Sequence, residues 1–148
     1  MVYETYSAQE TLELGRKIAE QAKPGDLCAL SGDLGTGKTV FTQGVASGLG
    51  ITETVNSPTF TIMQIYEGGR MPFYHFDVYR IADAEEMEEI GYEDYFYGMG
   101  FTIVEWAELI QELMPPVYQK ITIEKDLEKG YDYRRITMEQ IGDQANRM

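Results

Sequence analysis

Cysteine is almost missing from this 148-residue chain: Cys28 stands alone, so no intramolecular disulfide can form. It falls within the apolar run from Leu27 to Leu30, where a small buried core residue is expected rather than a nucleophile. No apolar stretch approaches the roughly 18 residues that a membrane-spanning helix needs. The N-terminus also lacks a basic segment followed by an apolar one, so the expectation is a soluble, cytoplasmic protein. Basic residues are scarce as well, with 12 Lys and Arg against 25 Asp and Glu, a net charge of −13. A chain so acidic repels DNA and other bulk nucleic acid, and it repels anionic membranes. The deficit is also local. From Ile81 to Gln119 there is no Lys, Arg or His, yet Asp83, Glu85, Glu86, Glu88, Glu89, Glu93, Asp94, Glu105, Glu108 and Glu112 all occur there. Such a run is either a solvated helix face or a docking surface for a basic partner.

What the chain does contain is Gly32-Asp33-Leu34-Gly35-Thr36-Gly37-Lys38-Thr39, which satisfies G-x-x-x-x-G-K-[ST] at every fixed position. The apolar run before it reads as a strand, and a helical pattern follows. Glycines let the backbone curl until several N–H groups point at one phosphate, and the following helix adds the positive end of its dipole. In such a loop Asp33, Leu34, Gly35, Thr36 and Gly37 contribute backbone to a triphosphate, and Lys38 reaches its outer phosphates. Thr39 supplies a hydroxyl for Mg2+, a hard cation that prefers oxygen ligands. ATP is the expected nucleotide, because no N-K-x-D tetrapeptide that would read guanine occurs.

Along the chain, Ser7 and Glu10 have capping-box spacing before a helix predicted from Ala8 to Ala22. A strand over Leu27–Ser31 leads to the glycine-rich loop, and Gly48 and Gly50 close the helix after it. Phe60–Glu67 and Met71–Tyr79 read as an antiparallel pair around Gly68-Gly69. Asp83 and Glu86 cap a short helix ended by Gly91, Phe101–Glu105 reads as a buried strand, and Ala107–Met114 as helix. Tyr118–Lys125 and Tyr131–Glu139 form a second hairpin around Asp126–Gly130. The expected fold is a single domain over residues 1–148: α/β, a three-layer P-loop NTPase-like domain with a mixed sheet and antiparallel hairpins.

A phosphate loop needs a carboxylate on the far side of its metal, and Glu105 ends the buried strand Phe101–Val104. Glu105 is therefore a candidate for holding metal or water, against a satisfied strand-end carboxylate. Trp106 is either a packing residue at the rim or an anchor for a partner. In His75-Phe76-Asp77-Val78-Tyr79-Arg80, strand alternation puts His75, Asp77 and Tyr79 on one face. Asp77 is a candidate for orienting the attacking water or binding magnesium through water, the alternative being a pair with Arg80. A hydrogen-bonded structural His75 suits phosphoryl transfer better than a catalytic base, because that chemistry relies on positioning and charge stabilisation. Ser57, Pro58 and Thr59, within Asn56–Thr61, suit a loop that senses the γ-phosphate, or else an ordinary polar turn.

Taken in order and spacing, GDLGTGKT (32–39), NSPTFT (56–61), YHFDVYR (74–80), EEIGYEDYF (88–96) and VEWAE (104–108), with ETLELG (10–15), resemble the bacterial TsaE (YjeE) family. That family comprises small P-loop ATPases of tRNA threonylcarbamoyladenosine synthesis, and the resemblance covers all but about the last ten residues. It implies phosphate and magnesium roles for Lys38 and Thr39, a second magnesium-side carboxylate at Glu105, and a need for Asp77 and Trp106 in activity. It also implies a switch-like loop at Ser57–Thr61 and a place for Thr11 near the nucleotide. Finally, it implies partnership with a TsaB–TsaD heterodimer that modifies adenosine 37 of tRNA. With net charge −13 no strong direct tRNA binding is expected, so the action would run through those proteins.

Two other functions use the same loop. A small-molecule kinase usually carries an arginine-rich lid, and no arginine occurs from Ile81 to Gln119. A non-hydrolysing module would use ATP only to order the Ser57 loop.

Overall fold

The central strands Leu27–Leu30 and Phe101–Val104 are apolar nearly without a break, so each buries both of its faces, which demands helices above and below one sheet. The computed structural model describes residues 1–33, 35–55 and 62–142, and has that arrangement. The strands are β1 (Val2–Thr5), β2 (Leu27–Gly32), β3 (Met63–Tyr66), β4 (Phe73–Asp77), β5 (Phe101–Glu105), β6 (Tyr118–Lys125) and β7 (Arg134–Ile141). The α-helices are α1 (Ala8–Glu20), α2 (Lys38–Gly48), α3 (Ala84–Glu89) and α4 (Tyr92–Phe96), with a 3-10 turn over Ala107–Leu113. Strand order is β1-β7-β6-β2-β5-β4-β3. β2 runs parallel to both β5 and β6, and β4 runs parallel to β5. The β3–β4 and β6–β7 hairpins are antiparallel, as is β1 on β7. The fold is α/β with a mixed sheet.

On one face Cys28, Leu30, Ile103, Ile121, Ile123 and Ile136 pack against Ala19, Phe41, Val45 and Leu49 of the α1–α2 layer. On the other, Leu27, Ala29, Phe76 and Val104 meet Met87, Tyr92, Phe96 and Ile110 from α3, α4 and the 3-10 turn. Each fully buried Phe, Ile or Leu contributes roughly 1.5–3 kcal/mol by leaving water. α1 and α2 approach closely through glycine: a β-carbon on Gly44 would lie 2.0 Å from the Leu12 carbonyl oxygen. This explains why the buried stripe of α1 is Thr11, Gly15 and Ala19, with Leu12 and Ile18 only half buried beside it. Backbone contact takes the place of a leucine seam.

The caps follow the sequence. Ser7 Oγ accepts from the Glu10 N–H at 3.1 Å, while the Glu10 carboxylate takes the Tyr6 N–H at 2.9 Å, a cap worth about 1 kcal/mol. Asp83 and Glu86 form the full capping box of α3.

Several expected boundaries differ. β3 spans Met63–Tyr66 and β4 spans Phe73–Asp77, inside the expected Phe60–Glu67 and Met71–Tyr79, of which Phe60 and Thr61 lie outside the described residues. The helix after β5 is a 3-10 turn kinked at Ile110, whose φ of −128° interrupts the helical run. β1 and α4 are additional elements.

Candidate functional site

The parallel strands end together. Gly32 pairs with Ile123, Leu30 with Glu105 and Asp77 with Glu105, so β2, β6, β5 and β4 deliver the glycine-rich loop, Glu105 and Asp77 to one C-terminal edge. In open α/β sheets, ligands bind at that edge.

Gly35 and Gly37 have φ of 79° and 101°, left-handed values open to glycine without strain, and they turn the loop into α2. Gly37 is the N-cap of α2, no side chain caps the helix, and its first turn carries no acidic residue. The positive end of the helix is therefore bare. Thr36 is buried, and its N–H and hydroxyl both donate to the Asp33 carbonyl, at 3.2 and 2.8 Å. Asp33, Gly35 and Thr39 are exposed. Leu34, Ser57, Pro58 and Thr59 lie outside the described residues.

Glu105 is the hub of the site. It is 5% exposed; one carboxylate oxygen lies 3.5 Å from Lys38 Nζ and the other 2.7 Å from His75 Nε2. Burial, the largest single influence, pushes its pKa up. The His75 hydrogen bond and charge, with the Lys38 ammonium, outweigh burial and hold the carboxyl below its ordinary value. An ionised carboxylate only accepts, so His75 donates from Nε2. His75 is itself 1% exposed and stacks on Phe73 with ring centroids 5.9 Å apart. The hydrogen bond expected of His75 is thus made through Nε2 to Glu105.

Trp106 has φ 64°, and among the described residues it is the one non-glycine residue in the left-handed region. A bulky residue held there costs about 1–3 kcal/mol, strain of the kind that clusters at functional sites. The turn lays its indole 5.6 Å from Lys38 Nζ and 4.8 Å from the Tyr79 ring. The Lys38 ammonium is thus held by a carboxylate and an aromatic face together. Asp77 Oδ1 accepts the Tyr79 N–H at 3.1 Å, and among the described residues no ion pair joins it to Arg80. Thr11 is buried in α1, its hydroxyl 2.7 Å from that of Thr5.

Two residues escaped sequence reasoning. Arg134 Nε donates to the Thr36 carbonyl at 2.7 Å, and Lys125 Nζ lies 3.5 Å from where a β-carbon on Gly35 would sit. Both belong to the β6–β7 hairpin, whose approach to the loop is set by the pairing of β6 with β2 and has no local sequence signal. Among the described residues no three His, Cys, Asp or Glu side chains form a metal-holding group. The Thr39 hydroxyl and Glu105 carboxylate are nevertheless hard oxygen donors of the type magnesium accepts, since that ion takes few protein ligands and leaves the rest to water and phosphate.

Fold and site together define a three-layer α/β protein with a G-x-x-x-x-G-K-[ST] loop beside a buried glutamate at the C-terminal edge of parallel strands. Residues 5–136 match the family model described as "Threonylcarbamoyl adenosine biosynthesis protein TsaE". The chain belongs to the TsaE family. It is similar to the tRNA threonylcarbamoyladenosine biosynthesis protein TsaE of Bacillus subtilis (strain 168), 48% identical over 140 residues, covering 95% of this chain and 85% of that one. The protein of the same name from Treponema pallidum (strain Nichols) is 41% identical over 109 residues, covering 74% and 80%. Among solved structures, the crystal structure of Bacillus subtilis YdiB superposes with a TM-score of 0.80 at 41% identity, covering 99% of this chain and 87% of that one. No helix among the described residues is long and apolar enough to cross a membrane.

Proposed function

We propose that this chain binds ATP with Mg2+ and hydrolyses it in support of tRNA threonylcarbamoyladenosine synthesis, acting with a TsaB–TsaD heterodimer. The observation that carries the reading is the convergence of Lys38, the bare N-terminus of α2 and buried Glu105 on one sheet edge. Lys38 would leave Glu105 for the outer phosphates, and the loop amides would hold the remaining charge. Thr39 and Glu105, directly or through water, would hold magnesium, which neutralises phosphate charge when bound. Asp77, next to Glu105 in register, orients the attacking water.

The TsaB–TsaD part rests on family membership and on charge. Glu85, Glu88, Glu89, Glu93, Asp94, Glu108 and Glu112 are all exposed on the α3, α4 and 3-10 turn layer, giving one acidic face suited to a basic protein surface. The deciding experiment reconstitutes tRNA modification from TsaB and TsaD with this chain omitted, intact, or carrying Lys38→Ala. Modification and ATP turnover are expected only with the intact chain; equal modification by Lys38→Ala would reject the ATPase reading. Calorimetry showing no magnesium-dependent ATP uptake by the intact chain would reject nucleotide binding altogether.

A further inference from the structure

Lys125 and Arg134 are direct cross-strand partners at the end of the β6–β7 hairpin. Two cations placed opposite each other repel, an arrangement that destabilises a hairpin unless something negative lies between or beside them. The chain has no shortage of carboxylates, yet among the described residues none lies within ion-pair distance of either side chain, whereas Lys38, Lys129 and Arg135 each have one and Arg16 has two. Register explains where the two point. Ile123 and Ile136 face the α1–α2 layer, and Lys125 and Arg134, two residues from each, share that face, on which α2 begins.

Arg134 is spent on the backbone. Its Nε donates to the Thr36 carbonyl, and its Nη1 donates to the carbonyls of Tyr131 and Tyr133 at 2.9 and 2.7 Å. It thereby fixes the hairpin against the glycine-rich loop. Lys125 is left with an exposed ammonium beside Gly35, on the opposite side of the loop strand from Lys38's partner Glu105, since β6 and β5 flank β2. The chain has no arginine from Ile81 to Gln119 to offer in its place.

We propose that Lys125 is a second phosphate-binding cation of the site, one that the β6–β7 hairpin supplies within the chain to the outer phosphates of a nucleoside triphosphate. This rests on the ATP-binding reading above. An ammonium lost from near a polyphosphate at a partly solvated site weakens binding by about tenfold.

The test is equilibrium titration of the full-length chain with MgATP and with AMP, for wild type, Lys125→Met, Lys125→Arg and Lys129→Met. Lys129 is the control, a hairpin lysine engaged with Glu4 at 3.4 Å. The expected result is an ATP affinity about tenfold weaker for Lys125→Met, restored by Lys125→Arg and unchanged in Lys129→Met, with AMP affinity unaffected throughout and no loss of melting temperature in Lys125→Met, where cross-strand repulsion is relieved. A purely structural lysine would not discriminate ATP from AMP. If wild type binds MgATP and Lys125→Met binds it equally well, the Lys125 proposal alone is overturned. If wild type takes up no MgATP, the nucleotide reading and this proposal fall together.

Discussion

His75 Nε2 and Glu105 lie 2.7 Å apart across neighbouring parallel strands, both almost wholly buried, and the same carboxylate faces Lys38. Glu105 therefore does two separable jobs: it satisfies a buried N–H, and it places negative charge beside the loop. Glu105→Ala strands the His75 donor and costs about 1–3 kcal/mol, the usual penalty for a buried unsatisfied group. Glu105→Gln keeps an acceptor for His75, so its stability stays within about 1 kcal/mol of wild type. Under the proposed ATPase function, its ATP turnover should nonetheless fall about a hundredfold, because the charge is gone. Urea unfolding beside ATP turnover checks both, and Gln destabilising as much as Ala would refute the division of roles.

A second contact fixes the opposite wall. Arg134 ties the Thr36 carbonyl to β7 across 98 residues of sequence. A hydrogen bond from a charged donor is worth about 1.5–3 kcal/mol, so Arg134→Ala should lower stability by that order and loosen the loop. Expected together are a lower melting temperature and an ATP affinity weaker by about tenfold, with Arg134→Lys recovering little because its ammonium cannot reproduce the guanidinium fork. Loss of stability with unaltered ATP affinity would mean that the staple does not shape the loop.

These two walls were unequally legible. Glu105 could be found because it ends a run of buried strand residues, and His75 could be weighed because strand alternation places it. The glycine-rich loop announces its own turn chemistry. Lys125 and Arg134 carry no such mark, since their role comes from β6 lying parallel to β2, and that pairing is a tertiary outcome. β1 was missed for a similar reason: four residues of partly exposed edge strand gain their place only from β7, more than a hundred residues later. α4 was missed because five residues are too few to show a helical period. The left-handed Trp106 is invisible in sequence, since only packing can hold a bulky side chain there.

Cys28 offers a probe of global opening. It sits in β2 against the α1–α2 layer, 3% exposed, and burial together with the nearby Asp26 charge pushes its thiol pKa up to about 12. Since the thiolate is the reactive form, Cys28 should be inert to thiol reagents in the native chain at neutral pH and react fully once unfolded. Labelling rate against denaturant should then follow the global unfolding curve. Fast labelling without denaturant would show that β2 opens locally.

The acidic face can be tested without disturbing the fold, provided that the right glutamates are chosen. Glu86 is unsuitable: it accepts the N–H groups of Ala82 and Asp83 in the α3 capping box, so its reversal would cost about 1 kcal/mol of cap and confuse the outcome. Glu85, Glu88 and Glu89 are exposed and make no such contact among the described residues, while buried Met87 anchors the helix beneath them. Reversing these three to Lys changes the face by six charges yet should leave melting temperature and ATP affinity close to wild type. Association with TsaB and TsaD should weaken at least tenfold, mostly through a slower on-rate that added salt no longer depresses as steeply. Surface-plasmon measurement of both rates at low and high salt decides it. If association is unchanged at low salt, the face is merely solvated, and the partners dock elsewhere on the chain.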